Sequence, residues 1–216
     1  MEAVINKIKV SDKKLVKEFL MRKRVYYNKK DELKYISHLD MLRFIERILK
    51  ISGIKPVFTQ GFHPRPKVTY GNALSLGVES YNEIFEYDTE QEIENIEIEA
   101  RLKERAPIGF EIQKVETIPP KSSIATDFNV IAYELEFPSE ESMDEFKGVI
   151  NQEKIIFRKE KNGKVTEKDL KEKIKKVEYK ENKSILYLEE ISPRNIIEGI
   201  SNSEEIKVKR AGYYNL

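Results

Sequence analysis

Predicted elements that run β-α-β-β-α-β twice, on either side of a proline-rich break, predict an α+β protein of two tandem ferredoxin-like domains with antiparallel sheets. Three observations carry this. Short β-branched and aromatic runs alternate with two stretches that read as helices in residues 21–118, the first with clear helical spacing of its apolar residues. The segment "PPKSSIATD", residues 119–127, has two prolines followed by small polar residues and reads as a linker. After it the same order of elements resumes over residues 128–216, with one extra helix inserted. The repeat rests on element order, because the two halves share no visible sequence identity.

In the first half, "RKRVYYNKK" reads as a strand followed by an Asp-Glu turn. "SHLDMLRFIERILKISG" reads as a helix. Ser37 supplies the N-cap, Asp40 answers it three residues on, and Gly53 marks the stop. Leu39, Leu42, Ile45, Ile48 and Leu49 are expected to face the core. "KPVFT" reads as a short strand. "KVTYGNALSLGV" and "NEIFEYDTE" read as a hairpin joined around Glu79–Tyr81. "EIENIEIEARLKERAP" reads as a helix closed by Pro107, and "GFEIQKVETI" as a strand.

In the second half, "FNVIAYELEF" and "KIIFRKE" read as strands around the helix "SMDEFKGVIN", whose cap is Ser139 or Ser142. Asn162-Gly163 marks a turn, and "TEKDLKEKIKK" reads as the inserted charged helix. "VEYKENKSILYLEE" reads as strand–turn–strand, "SPRNIIEGIS" as a helix with Pro193 in its first turn, and "EIKVKRAGYYN" as the last strand. Residues 1–20 fall outside the scheme and are expected to be an N-terminal extension or a mis-assigned start.

Composition narrows the function. Charged residues make up 36% of the 216 and apolar residues 39%, enough for a core but polar for a globular chain. With no cysteine, disulfides, thiolate catalysis and Cys-ligated zinc or iron–sulfur sites are excluded. No apolar run approaches the ~20 residues that span a bilayer, and the cytoplasm is the expected location. The net charge of +1 hides two blocks: Met21 to Val78 carries twelve Lys/Arg against four Asp/Glu, and Glu79 to Ile118 carries the reverse. Between Arg47 and Val78 there is no acid at all. Such a block suits a polyanion, although two opposite halves can also neutralise each other.

The candidate binding residues lie in and before that acid-free stretch. Arg43 and Arg47 are one helical turn apart, off the apolar stripe, where two like charges repel unless an anion or acid intervenes. "TQGFHPRPKVTY" follows. Gly61 permits a positive φ, while Pro64 and Pro66 stiffen the segment and bar it from a central strand. Phe62, His63, Arg65, Lys67 and Tyr70 then project from a rigid scaffold, with Phe62 expected to plug the core. Aromatic rings stack on unpaired bases, and Arg and Lys track phosphates. Asp40 is expected to spend its carboxylate on the helix cap. His38, at the positive helix end, is a candidate proton or hydrogen-bond acceptor. A metal set of His38, Asp40 and His63 is disfavoured by spacing, and no nucleotide-binding glycine motif or serine nucleophile elbow occurs.

"YISHLDMLRFIERIL", "TQGFHPRPKVTYGNALSLGVES" and the following Glu83 resemble the bacterial radical-SAM-linked proteins, a family of unknown function fused to or encoded beside cobalamin-binding radical SAM proteins. The resemblance is strongest from Met21 to about Tyr87. The family pattern falls on Ser37, His38, Asp40, Arg43, Arg47, Gly61, Phe62, Pro64, Pro66 and Glu83, among others, but does not fix histidine at His63. That favours contact over catalysis for His63. The resemblance implies a radical SAM partner carrying its own iron–sulfur cluster, with no cofactor on this chain. Together these readings make an accessory module that presents a structured RNA, tRNA or rRNA, to that partner. It would bind through His38, Arg43, Arg47, Phe62, His63, Arg65, Lys67 and Tyr70. The alternatives are a metal-independent endoribonuclease using His38, by architectural analogy with CRISPR repeat-processing nucleases, and a protein-only scaffold.

Overall fold

The computed structural model describes residues 20–161 and 163–216. The expected N-terminal extension, apart from its last residue, lies outside the described residues. The described chain is a mixed α+β structure whose strands pair mostly antiparallel. It divides into two compact units. The first comprises the described residues up to Leu76 together with Glu83–Ile124; the second comprises Gly77–Asn82 together with Ala125–Leu216. The division therefore differs from a single cut at the linker: a short internal segment belongs with the C-terminal unit.

In the first unit, β1 (Met21–Lys29), α1 (His38–Ile51), β2 (Val68–Tyr70), β3 (Glu79–Thr89), α2 (Asn95–Arg105) and β4 (Phe110–Ile118) follow one another. Its strands lie in the order β4-β1-β3-β2. β1 and β4 run antiparallel from Arg22 opposite Ile118 to Lys29 opposite Phe110, with a bulge between Tyr26 and Tyr27. Val25, Tyr27, Phe85 and Tyr87 form one core with Met41, Ile45, Ile48 and Leu49 of α1 and Ile98 and Leu102 of α2.

The helix signals are explicit. The Asp40 N–H donates to Ser37 Oγ at 3.2 Å, and Ser37 Oγ donates to the Asp40 carboxylate at 2.7 Å. At the other end Gly53, at φ 68°, donates to the Lys50 carbonyl and Ile54 to that of Leu49. This is a Schellman closure, which needs the left-handed conformation that glycine adopts without strain. Leu39 departs from expectation: it is 64% exposed. It stands two residues, about 200°, from Met41 around the helix, so it cannot share that residue's buried face.

Elsewhere the strands differ from the pattern in the sequence. "KPVFT" makes only isolated bridges, Pro56 to Thr89 and Phe58 to Pro66, because Pro56 has no N–H to continue a ladder. The expected hairpin does not turn at Glu79–Tyr81. β2 pairs with β3 only from Val68 opposite Tyr87 to Tyr70 opposite Phe85, and Glu79 and Ser80 already lie within β3. These two residues pair instead, in parallel, with Lys209 and Arg210, a partner far away in sequence.

Polar residues of β1 are absorbed by specific partners. Lys23, 2% exposed, donates to Asn95 Oδ1 and Thr117 Oγ1 at 2.8 Å each and to the Ile93 carbonyl at 3.3 Å. Burial lowers its pKa, with Glu94 opposing the shift. Glu86, 0% exposed, receives Arg24 at 2.6 Å and Arg22 at 2.9 Å.

In the second unit α3 (Ile124–Asp127) precedes β5 (Val130–Glu136), α4 (Glu140–Ile150), the hairpin β6 (Ile156–Lys161) and β7 (Lys164–Asp169), β8 (Ile174–Lys180), β9 (Lys183–Leu188), α5 (Arg194–Ile197) and β10 (Lys207–Tyr214). The order is β10-β5-β9-β8, with β6 and β7 in a separate two-stranded sheet. Ser139 is the α4 cap, accepting from the Ser142 N–H. The inserted helix over "TEKDLKEKIKK" does not form. Those residues are the end of β7, a 3-10 turn at Lys171–Lys173 and the start of β8. The helix propensity of Lys and Glu loses to cross-strand pairing with β6. The Asp169 carboxylate then fixes the turn by accepting the Ile155 and Lys171 N–H groups, each at 3.0 Å. Arg210, 1% exposed, stacks against the Tyr133 and Tyr213 rings at 5.5 and 5.6 Å from their centroids.

Burial acts on the phenols of the first unit. Desolvation, with a hydrogen bond to Glu116 second, pushes Tyr26 up to about 12. Burial raises Tyr70, with Glu46 adding to it, and burial raises Tyr87. A folded-state phenol pKa above the unfolded value favours the folded state fully below about pH 10, and that contribution fades as pH rises toward the folded value. Burial also raises Tyr179 and Tyr187, so a 295 nm titration of the native protein at pH 11 should fall short of the full amplitude of eleven tyrosines by at least about three phenols, with the remainder appearing in denaturant. Full ionisation of the native protein at that pH would contradict it.

Candidate nucleic-acid interface

Two hollows lie side by side on the first unit, and of the eight candidate residues only Arg43 and Arg47 line them. The larger, of about 820 Å³, is lined by Arg43, Arg47 and Lys50 from one side of α1 and by Pro56, Phe58 and Pro66 from the loop that follows. The i,i+4 spacing of Arg43 and Arg47 puts them on one stripe, and the alternation Arg43, Glu46, Arg47, Lys50 leaves that stripe cationic with one acid in it. Arg43 also donates to the exposed Asp40 carboxylate at 3.0 Å, so the residue that completes the cap restrains the first arginine. Phe58 is 50% exposed, an aromatic edge in the same hollow as the arginines. A second hollow of about 670 Å³ continues from Lys55, Pro56 and Phe58 along Thr59, Gly61 and Pro64.

The loop is stiff for the reasons its sequence gives. Gly61 has φ 146°. Thr59 and Arg65 clasp each other: the Thr59 N–H donates to the Arg65 carbonyl at 2.8 Å, and the Arg65 N–H to Thr59 Oγ1 at 3.1 Å. The clasp leaves Phe62 and His63 at an exposed tip, lining neither hollow. Phe62 is fully exposed, contrary to the expectation that it plugs the core; the Pro64–Pro66 spacing and the clasp turn it outward. Arg65 is exposed beside the groove's Pro66, and Lys67 pairs with Asp88 at 3.5 Å.

His38 and Tyr70 belong to a different place. They line a cavity of about 20 Å³ with Lys29, Asn72 and Glu83, on the far side of α1 from the arginines. The eight candidate residues thus divide into a groove, a loop and a small polar cavity. Phe58 and Lys29 were not legible as site residues. Phe58 sits inside a segment that reads as a strand, and Lys29 ends a strand where lysine ordinarily reaches water, yet it is 3% exposed. Among the described residues no group of three or more His, Cys, Asp or Glu side chains is arranged to hold a metal ion, so His38, Asp40 and His63 do not assemble into one. Among the described residues no helix is long and apolar enough to cross a membrane.

Fold and site define a two-unit α+β protein with a cationic, aromatic-edged groove on its first unit. The family model described as an uncharacterized protein conserved in bacteria (DUF2344) matches residues 22–206, and the chain belongs to that family. No curated protein matches it.

Proposed function

We propose that this chain is an accessory RNA-binding module that presents a structured RNA, tRNA or rRNA, to a radical SAM partner. The observation that carries the RNA half is the groove in which Arg43, Arg47 and Lys50 face Phe58, Pro56 and Pro66. Guanidinium groups track phosphates, and an exposed ring offers a stacking face to an unpaired base. The partner half rests on the resemblance of the "SHLD" and "QGFHPRP" segments to radical-SAM-linked proteins; redox cofactors then belong to the partner. In this reading both units are ferredoxin-like domains, a view supported by their strand orders β4-β1-β3-β2 and β10-β5-β9-β8, and the module works in the cytoplasm.

A filter-binding titration of a structured RNA across salt concentrations tests it. If Arg43, Arg47, Arg65 and Lys67 each neutralise one phosphate, log K falls against log salt with a slope of about −3. Reversing the charges of Arg47 and Arg65 together lowers affinity several-fold. Unchanged affinity in that variant overturns the reading. Nuclease-resistant co-purification with the radical SAM enzyme would favour a protein-only scaffold. RNA cleavage lost in His38→Ala with binding retained would favour a ribonuclease.

A further inference from the structure

The two hollows of the first unit share a wall. Lys55, Pro56 and Phe58 line both. Their charges differ. The larger sets four cations, Arg43, Arg47, Lys50 and Lys55, against Glu46. The smaller sets Lys55 against Glu90 and is electrically balanced. Arg47, Lys50 and Lys55 are exposed and have no ion pair among the described residues, so an anion can reach them without breaking one. Arg43 to Lys50 covers about 10 Å of α1, which makes the charge a line and not a point. At about 820 and 670 Å³, each hollow falls within the range of about 300–1,000 Å³ that encloses a small ligand.

Phe58 is held in place before anything binds. The Val57 N–H donates to the Asp88 carbonyl and the Lys67 N–H to the Val57 carbonyl, each at 2.7 Å. On the other side the Thr59 N–H donates to the Arg65 carbonyl at 2.8 Å. The backbone flanking the ring is thus fixed, while half of the residue stays in water. An apolar ring exposed on a rigid backbone loses little freedom when a flat partner stacks on it. A base inside a helix is no such partner. Its faces are covered by its neighbours, and the major groove of paired RNA is too deep and narrow for a side chain to read. A ring set in the wall of a hollow meets only a base that has left its helix.

We propose that the two hollows hold an unpaired stretch of RNA, its phosphates along Arg43, Arg47 and Lys50, one base on the Phe58 ring, and the next base in the balanced hollow beyond it. The inference rests on the RNA-binding reading. It narrows the substrate from structured RNA in general to a loop, bulge or end of one, and it excludes paired stems. Charge divides the track: the line of cations takes the backbone, and the hollow without net charge takes a base.

Competition on the unmodified chain tests this first. Labelled oligoadenylate held on a filter is expected to be displaced by unlabelled single strand at least about fivefold more readily than by a blunt RNA duplex of equal length, the low end for one stacked base. Phe58→Ala is expected to weaken oligoadenylate at least about fivefold with the salt slope kept, since no charge is lost. The chain has no tryptophan, so Phe58→Trp places the single indole at the shared wall. Its emission is expected to fall saturably with oligoadenylate and to hold steady with the duplex. Equal competition by duplex, unaltered affinity in Phe58→Ala, or equal quenching by both RNAs overturns the proposal. The competition stands as the test even if a variant fails to fold. If single strand and duplex compete equally and binding still weakens with salt at the expected slope, the groove holds RNA by charge alone: the unpaired-strand site falls and the RNA-binding reading stands. If neither RNA is retained on the filter, the RNA-binding reading itself falls, and this site with it.

Discussion

Replacing Glu86 with alanine is expected to destabilise the first unit by about 3–5 kcal/mol, the usual cost of removing one partner from a buried ion cluster. Glu86 is fully buried and is the shared acceptor of Arg22 and Arg24. Without it, Arg24, at 4% exposure, keeps its charge in a place where water reaches it poorly. Arg22 retains Asp88 at 3.8 Å, which offsets part of the loss. With a urea m-value of about 2 kcal/mol/M, the unfolding midpoint drops by about 2 M. Replacing Glu86 and Arg24 together with apolar residues of similar volume should recover much of the loss, because the cost lies in a buried charge that has lost its carboxylate, with Tyr26 and Glu116 compensating only in part. A midpoint shift below about 0.5 M would mean that solvent screens the cluster.

Arg43→Glu/Arg47→Glu is expected to weaken binding of structured RNA about 100-fold, about 3 kcal/mol for two charge-assisted contacts. Both arginines are exposed, and among the described residues their one ion pair is the surface contact of Arg43 with Asp40, so thermal stability should change little. Since four acids would then crowd one helix, Arg43→Gln/Arg47→Gln serves as the neutral companion, with a smaller loss and a shallower salt slope. Wild-type affinity in both variants would remove the groove from RNA binding.

How far the sequence reaches depends on where each residue's partner lies. α1 was readable almost atom by atom, since Ser37, Asp40 and Gly53 act on neighbours within five residues. So were the stiffness of the loop around Gly61, Pro64 and Pro66 and the common stripe of Arg43 and Arg47. The failures share a cause. Glu79 and Ser80 look like a turn because their strand partners are Lys209 and Arg210. The Lys-Glu-rich segment after Asn162-Gly163 looks helical because pairing with β6 is invisible in its own composition. Phe62 looks like core because hydrophobicity alone does not report that Thr59 and Arg65 clasp the loop with its tip outward. Lys29 and Glu83 look solvated, and only the sheet that turns them toward the core shows otherwise.

The exchange of residues 77–82 has a practical meaning for dissecting the protein. A cut at the proline-rich segment does not separate two modules cleanly: a fragment that begins there lacks the segment that pairs with β10 at Lys209 and Arg210. Its β10 would lose its pairing at Lys209 and Arg210, leaving unpaired backbone groups there, a template for self-association. The N-terminal fragment would carry the orphaned six residues, two before β3 and the first four of it. Single-site proteolysis or truncation therefore cannot deliver either half intact. A separable C-terminal piece would need Gly77–Asn82 returned to it in trans as a peptide, or through a rewired chain order.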